Sequence, residues 1–226
     1  MRRKTSAMTD GEDHEAWRGS GWPATAQHSR EETRMQCSLL CMVVSMLMAL
    51  GMGVAHGKDC QGVTFPEQVQ VDGSTLTLNG LGLRQATFLK VDVYVAALYV
   101  AHVSHDAQAL LGSNTPKELI LHFVHNVSDD ELKKAWEEGF EHNAKAQLPA
   151  LHERIEMLKS SMVDMQSGQR LTFLHKPGAG IQVDVNGTVK GMIPGDDFAT
   201  AFLSIWLGPH PPNPNLKSGL LGSACE

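Results

Sequence analysis

The residues of this chain best suited to chemistry are its histidine pairs, a few arginines and two outlying cysteines. His102 and His105, and again His122 and His125, have the His-x-x-His spacing that invites a metal. In strands that spacing sends the two rings to opposite faces, because side chains alternate with period two, so the expectation is surface or core histidines and no metal. Beyond residue 57 the only arginines are Arg84, Arg154 and Arg170, and Arg84 stands just before a nearly apolar run carrying Lys90, Tyr94 and Tyr99. A guanidinium at the mouth of an apolar layer must be paired or solvated. An ion pair with Asp92 would meet that need, and so would a carboxylate or phenolate ligand. Cys60 and Cys225 are the only cysteines beyond residue 57, one near each end; they are either a disulfide tying the ends together or two unpaired thiols. A phosphate-cradling Gly-rich loop, a nucleophile elbow and paired Cys-x-x-Cys motifs are absent, and no cofactor is called for.

The whole chain has 226 residues with 19 Lys plus Arg against 25 Asp plus Glu, a formal charge of -6. No basic field exists to hold a phosphate backbone, which argues against nucleic acid as a partner. Residues 1–34 are polar and without periodic apolar pattern, and read as a disordered or untranslated extension. Residues 35–57 carry no charge, follow Arg34 and end in Ala55-His56-Gly57, the shape of a cleaved secretory signal peptide. A buried core helix and an uncleaved membrane anchor are the rival readings. With the signal removed, no stable membrane span remains, and the expected location is periplasmic or secreted.

Residues 58–226 must then position the candidate groups. Val69 to Leu78 reads as two short strands around Asp72-Gly73, and Gly80-Leu81-Gly82 breaks the pattern. Ala86 to Ala101 is a strand-like run too long to be flat, so a bulge or bend is expected inside it. Asp106 to Leu111 reads as a short helix and Glu118 to Val124 as a strand. Ser128 with Glu131 forms a capping box opening a helix whose apolar face carries Leu132, Trp136 and Phe140. A second helix restarts at Pro149 and runs to Gly168. Strands follow over Gln169 to His175, Gly180 to Val185 and Thr188 to Ile193, the last two joined by Asn186-Gly187. Asp196 to Leu207 is a final amphipathic helix, closed by Gly208 and a proline-rich turn. Strands, helices, strands, helix without regular alternation predict an α+β domain, an antiparallel sheet covered by helices.

The stretch Leu78-Asn79-Gly80-Leu81-Gly82-Leu83-Arg84, followed by Phe88-Leu89-Lys90-Val91-Asp92-Val93-Tyr94 and on to Tyr99, resembles the first strands of the chalcone isomerase-like proteins, especially their bacterial branch. Ala201 to Gly208 and Pro214-Asn215-Leu216-Lys217 are similar to that family's terminal helix and Pro-x-Leu-Lys segment. The resemblance covers roughly residues 63 to 222. It implies an open-faced sheet under a helical layer, with a ligand cleft between sheet edge and helices.

In the family's plant enzymes an early-strand Arg polarises an intramolecular addition, and the resemblance carries that role to Arg84. The helix Tyr and Asn those enzymes use are missing here; Leu132 and Glu138 or Gly139 stand where they would fall, while Thr200 is the candidate hydroxyl on the last helix. Efficient chalcone cyclisation is therefore not expected. Other members hold fatty acids, with the Arg facing the carboxylate. On that reading Arg84, Tyr94 and Thr200 form the polar end, and Phe88, Val91, Leu98, Phe123, Trp136, Phe140, Phe202 and Trp206 are candidate walls, or simply core. Three functions stay open: a non-catalytic binder of a small apolar carboxylate such as a fatty acid, an intramolecular lyase or isomerase with Arg84 as electrophile, and a structural or interaction module of the envelope.

Overall fold

A computed structural model describes residues 57–86 and 89–225, which lie in one compact unit. The predicted extension and nearly all of the predicted signal segment lie outside the described residues, as does Phe88.

Among the described residues nine strands form two antiparallel sheets. β1 (Gly57–Cys60) and β2 (Val63–Pro66) make a separate hairpin. β3 (Gln68–Val71), β4 (Ser74–Ala86), β5 (Val91–Val100), β6 (Lys117–Phe123), β7 (Arg170–Lys176), β8 (Gly180–Val185) and β9 (Thr188–Pro194) make a seven-stranded meander in sequence order. The sheet is strongly curled. Asp72, in the turn after β3, bridges to Lys176 on β7 at 2.7 Å, although three strands separate β3 from β7 in the sheet. Asp72 and Gly73 both have positive φ, the turn that a two-residue hairpin of this twist requires.

Alternation along the strands sorts side chains between two cores. Tyr94, Ala96, Leu98 and Val100 of β5 face the helices with Leu121, Phe123 and Phe173, while Val95, Ala97 and Tyr99 face the β1–β2 hairpin with Leu76, Leu83 and Phe65. The helices are α1 (Ala107–Gly112), α2 (Asp129–Asn143), α3 (Leu148–Ser160), α4 (Asp196–Leu207) and α5 (Pro214–Leu220). α2 opens with the predicted capping box: Ser128 N–H donates to Glu131 Oε2 at 2.8 Å and Glu131 N–H to Ser128 Oγ at 3.3 Å. α4 is buried along most of its length and packs Phe198, Phe202 and Trp206 into the helix-side core. No helix among the described residues is long and apolar enough to cross a membrane.

Three local readings are corrected. Gly80 and Gly82 do not break a strand; they lie inside β4, with a register shift between Leu78 and Gly80. They are needed because α5 lies directly on them: a Cβ at Gly80 would stand 2.1 Å from the Gly219 carbonyl oxygen, and one at Gly82 2.3 Å from that of Leu216. The run from Ala86 onward is not one bent strand, since Ala86 pairs with Val91 and the chain doubles back between them. Lys90, at φ 53°, ends that reversal. Finally, α3 stops at Ser160 rather than Gly168, because Met165 leaves the helical path to pair with Val127, with N–H to O distances of 2.8 and 2.9 Å.

Cys60 and Cys225 are joined as a disulfide with their Cα atoms 5.8 Å apart. One buried cation stands out. Lys117 is 2% exposed on β6, opposite His175 of β7, and its ammonium donates to the Ser113 and Thr115 carbonyls. Nearby, Asp196 at the start of α4 accepts the Gly178 N–H, and His175 Nε2 lies 3.2 Å from its Oδ1.

Candidate functional site

The doubled-back β4–β5 pair sets the site. Arg84 and Tyr94 are register partners across that pair, so both side chains leave the same face of the sheet. A register shift follows Arg84 immediately, with Gln85 opposite Asp92; such bulges re-aim the neighbouring side chain. The two residues open onto a cleft of about 550 Å³ between the end of the sheet and α2, within the range of small-molecule sites. Ala86, Val91, Val93 and Phe123 line it from the strands, and Leu132, Ala135, Trp136 and Gly139 from α2. Ile205 of α4 adds apolar wall, and the proline-rich loop contributes His210, Pro211 and Pro212. His125, Glu131, Glu138 and His142 stand at the exposed rim.

Arg84 is half-buried. Its Nη1 donates to the Gln85 carbonyl and, at 3.4 Å, to the Pro212 carbonyl. Among the described residues no carboxylate lies within 4.0 Å of it, and Asp92 is held instead by Gln85 Nε2 at 2.8 Å. The guanidinium therefore meets neutral carbonyl oxygens at the head of an apolar cleft. The loop bearing Pro212 is fastened at both ends. Asn143 at the end of α2 exchanges two hydrogen bonds with the His210 backbone, and Asn213 Nδ2 donates to the Leu83 carbonyl.

Tyr94 is buried, with its ring edge-on to Phe123 at 5.7 Å. Its hydroxyl oxygen accepts the Trp206 indole N–H at 3.1 Å. Burial pushes its pKa up to about 12, against the smaller opposing effects of the Trp206 hydrogen bond and the Arg84 charge. It stays a neutral phenol through the physiological range.

Thr200 is not brought to this group. It is exposed on α4 and its hydroxyl donates back to the Asp196 carbonyl at 2.9 Å. Of the candidate walls, Val91, Phe123 and Trp136 line the cleft, while Leu98, Phe140, Phe202 and Trp206 lie in the core behind it. Leu132, Glu138 and Gly139, the positions where a helix phenol and carboxamide are missing, all line the cleft. His122 faces the β1–β2 hairpin, its Nδ1 accepting from Arg170 Nε at 3.1 Å, whereas His125 lies on the cleft side. Among the described residues no cluster of three or more His, Cys, Asp or Glu is placed to hold a metal ion. The proline-rich turn after Gly208 was read from sequence, but its place in the cleft wall and the Trp206 hydrogen bond were not; Pro209 to Pro214 marks a fixed turn, and nothing in its composition tells which side chain it meets.

A curled antiparallel sheet under helices, with a lone guanidinium heading a cleft walled by apolar side chains, defines an α+β ligand-cleft fold. The profile of the chalcone isomerase-like family matches residues 57–222, and the chain belongs to that family. The solved structures include a fatty-acid binding protein of Arabidopsis thaliana with the same fold, at a TM-score of 0.56 and 15% identity, covering 74% of this chain and 96% of that one. No curated protein sequence matches the chain.

Proposed function

We propose that this chain is a non-catalytic binder of a small apolar carboxylate such as a fatty acid, with Arg84 and Tyr94 receiving the carboxylate and the cleft taking the chain. The observation that carries the reading is Arg84, a half-buried cation with no carboxylate partner among the described residues, at the head of a 550 Å³ cleft with apolar walls. Charge-assisted pairing with a ligand carboxylate meets the need that leaves open. The fatty-acid binding protein of the same fold supports it. Against the isomerase alternative stands the α2 face of the cleft, which offers Leu132 and Glu138 or Gly139 where the family's enzymes use a Tyr and an Asn to orient the substrate. We further propose that the domain works outside the cytoplasm, after removal of residues 35–57, where its single disulfide would persist.

The test is native mass spectrometry and calorimetry with dodecanoate and its methyl ester. Dodecanoate should bind the wild type and bind Arg84→Ala about 10 to 100 times more weakly, the cost of a hydrogen-bonded charge pair, while the ester is little affected. Failure to bind dodecanoate, or an equal loss for acid and ester, overturns the reading. Turnover of a chalcone or related substrate that is abolished in Arg84→Ala would put the isomerase in its place.

A further inference from the structure

Trp206 does not line the cleft, yet it touches the one hydroxyl that does. It is 1% exposed on α4, packed against Trp136 and Phe202 at ring separations of 5.6 and 5.1 Å. Its indole N–H, which can only donate, points at the Tyr94 oxygen at 3.1 Å. That geometry fixes more than a packing contact. A phenol O–H lies near the plane of its ring, so its proton has two in-plane directions to choose between. The Trp206 N–H engages a lone pair of that oxygen and cannot accept, so the phenol proton must point away from Trp206. Among the described residues no group accepts that proton, while Tyr94 borders the cleft directly across from Arg84.

We infer that Trp206 is a positioning residue: it locks Tyr94 as a hydrogen-bond donor toward the cleft, so that Arg84 and Tyr94 together select a head group that only accepts, such as a carboxylate. The inference rests on the carrier reading and adds to it a cause for head-group selectivity. Without Trp206 the Tyr94 hydroxyl turns freely and donates or accepts. With it, the Arg84 and Tyr94 side chains at the head of the cleft both present donors, and a head group that must donate, such as an alkylammonium, is refused there by the guanidinium charge and by the phenol proton. Because the phenol stays protonated to about pH 12, the donor persists throughout the range in which a fatty acid is ionised.

A double-mutant cycle on the full chain tests this, with dodecanoate affinity measured by calorimetry in wild type, Trp206→Phe, Tyr94→Phe and the double variant. Trp206→Phe should weaken binding about tenfold when Tyr94 is present, the scale of one hydrogen bond to a charged group. In the Tyr94→Phe background the same substitution should change affinity by less than about twofold, because its partner is gone. Equal losses in both backgrounds overturn the inference and leave Trp206 as packing alone. The indole N–H resonance of Trp206 gives a check that needs no ligand and no Trp206 variant that folds. It should shift in Tyr94→Phe, and an unmoved resonance overturns the inference by itself. A wild type that takes up no dodecanoate sinks the carrier reading and this one with it, whereas binding with an additive cycle sinks only this one.

Discussion

Lys117 offers a stability experiment whose size follows from its burial. The residue is 2% exposed and its ammonium is satisfied by two carbonyls, with no carboxylate in contact among the described residues, and burial lowers its pKa from 10.5 to about 8, with Asp196 pulling weakly the other way. The folded state thus disfavours the charged form. Below pH 8 both folded and unfolded chains are protonated there and the full penalty is present. Between 8 and 10.5 the unfolded chain binds more protons than the folded one, so stability climbs with pH. Integrating between those two pKa values, with 1.36 kcal/mol per unit, gives a gain of about 2 kcal/mol from pH 8 to pH 10. Lys117→Met removes the titration while keeping the stem. Urea unfolding of both proteins at half-unit steps should show the wild type gaining that amount relative to the variant, whichever is more stable at pH 7. Referencing to the variant also cancels the other lysines, and Tyr94 and Tyr99, which are pushed up to about 12 and lower stability only above pH 10. Parallel curves for the two proteins would refute the account, and would mean that water or a moved carboxylate solvates the amine in the folded state.

Gly82→Ala should destabilise the domain by about 2 kcal/mol, visible as a lowered melting temperature, because the new methyl meets a backbone oxygen of α5 that has no room to yield. Replacing Cys60 and Cys225 together by Ala should cost about 2 to 5 kcal/mol in denaturant unfolding, given the long loop they close; a smaller cost would mean that the unfolded chain is already compact.

The elements that follow local rules were legible. The Ser128 capping box, the Asn186-Gly187 hairpin and the apolar stripe of α4 were read at their observed places, since each depends on residues within one or two turns. Gly80 and Gly82 were misread because their reason lies over 130 residues away, in the carbonyls of α5. The same gap hid half of the site. Arg84 and Tyr94 could be picked out as a rare cation and a rare phenol near an apolar run. Their facing positions, however, come from a reversal between Ala86 and Val91 that the β-rich composition concealed. Thr200 was placed by analogy of helix position, and a helix turned by one residue carries such a side chain from cleft to solvent. Trp206 read as core, which it is; periodicity says nothing of where an indole nitrogen points.

The bond between Cys60 and Cys225 also decides how the domain would carry a load. Tension applied on the two sides of the bridge, ahead of Cys60 and beyond Cys225, reaches sulfur without crossing any strand pair of the seven-stranded sheet, and then passes directly from one cysteine to the other. The ladder between β4 and β5, which holds Arg84 across from Tyr94, is bypassed. The cleft would keep its shape under a pull that unzips an unbridged sheet, and a cut in any loop between the cysteines would leave a single covalent piece.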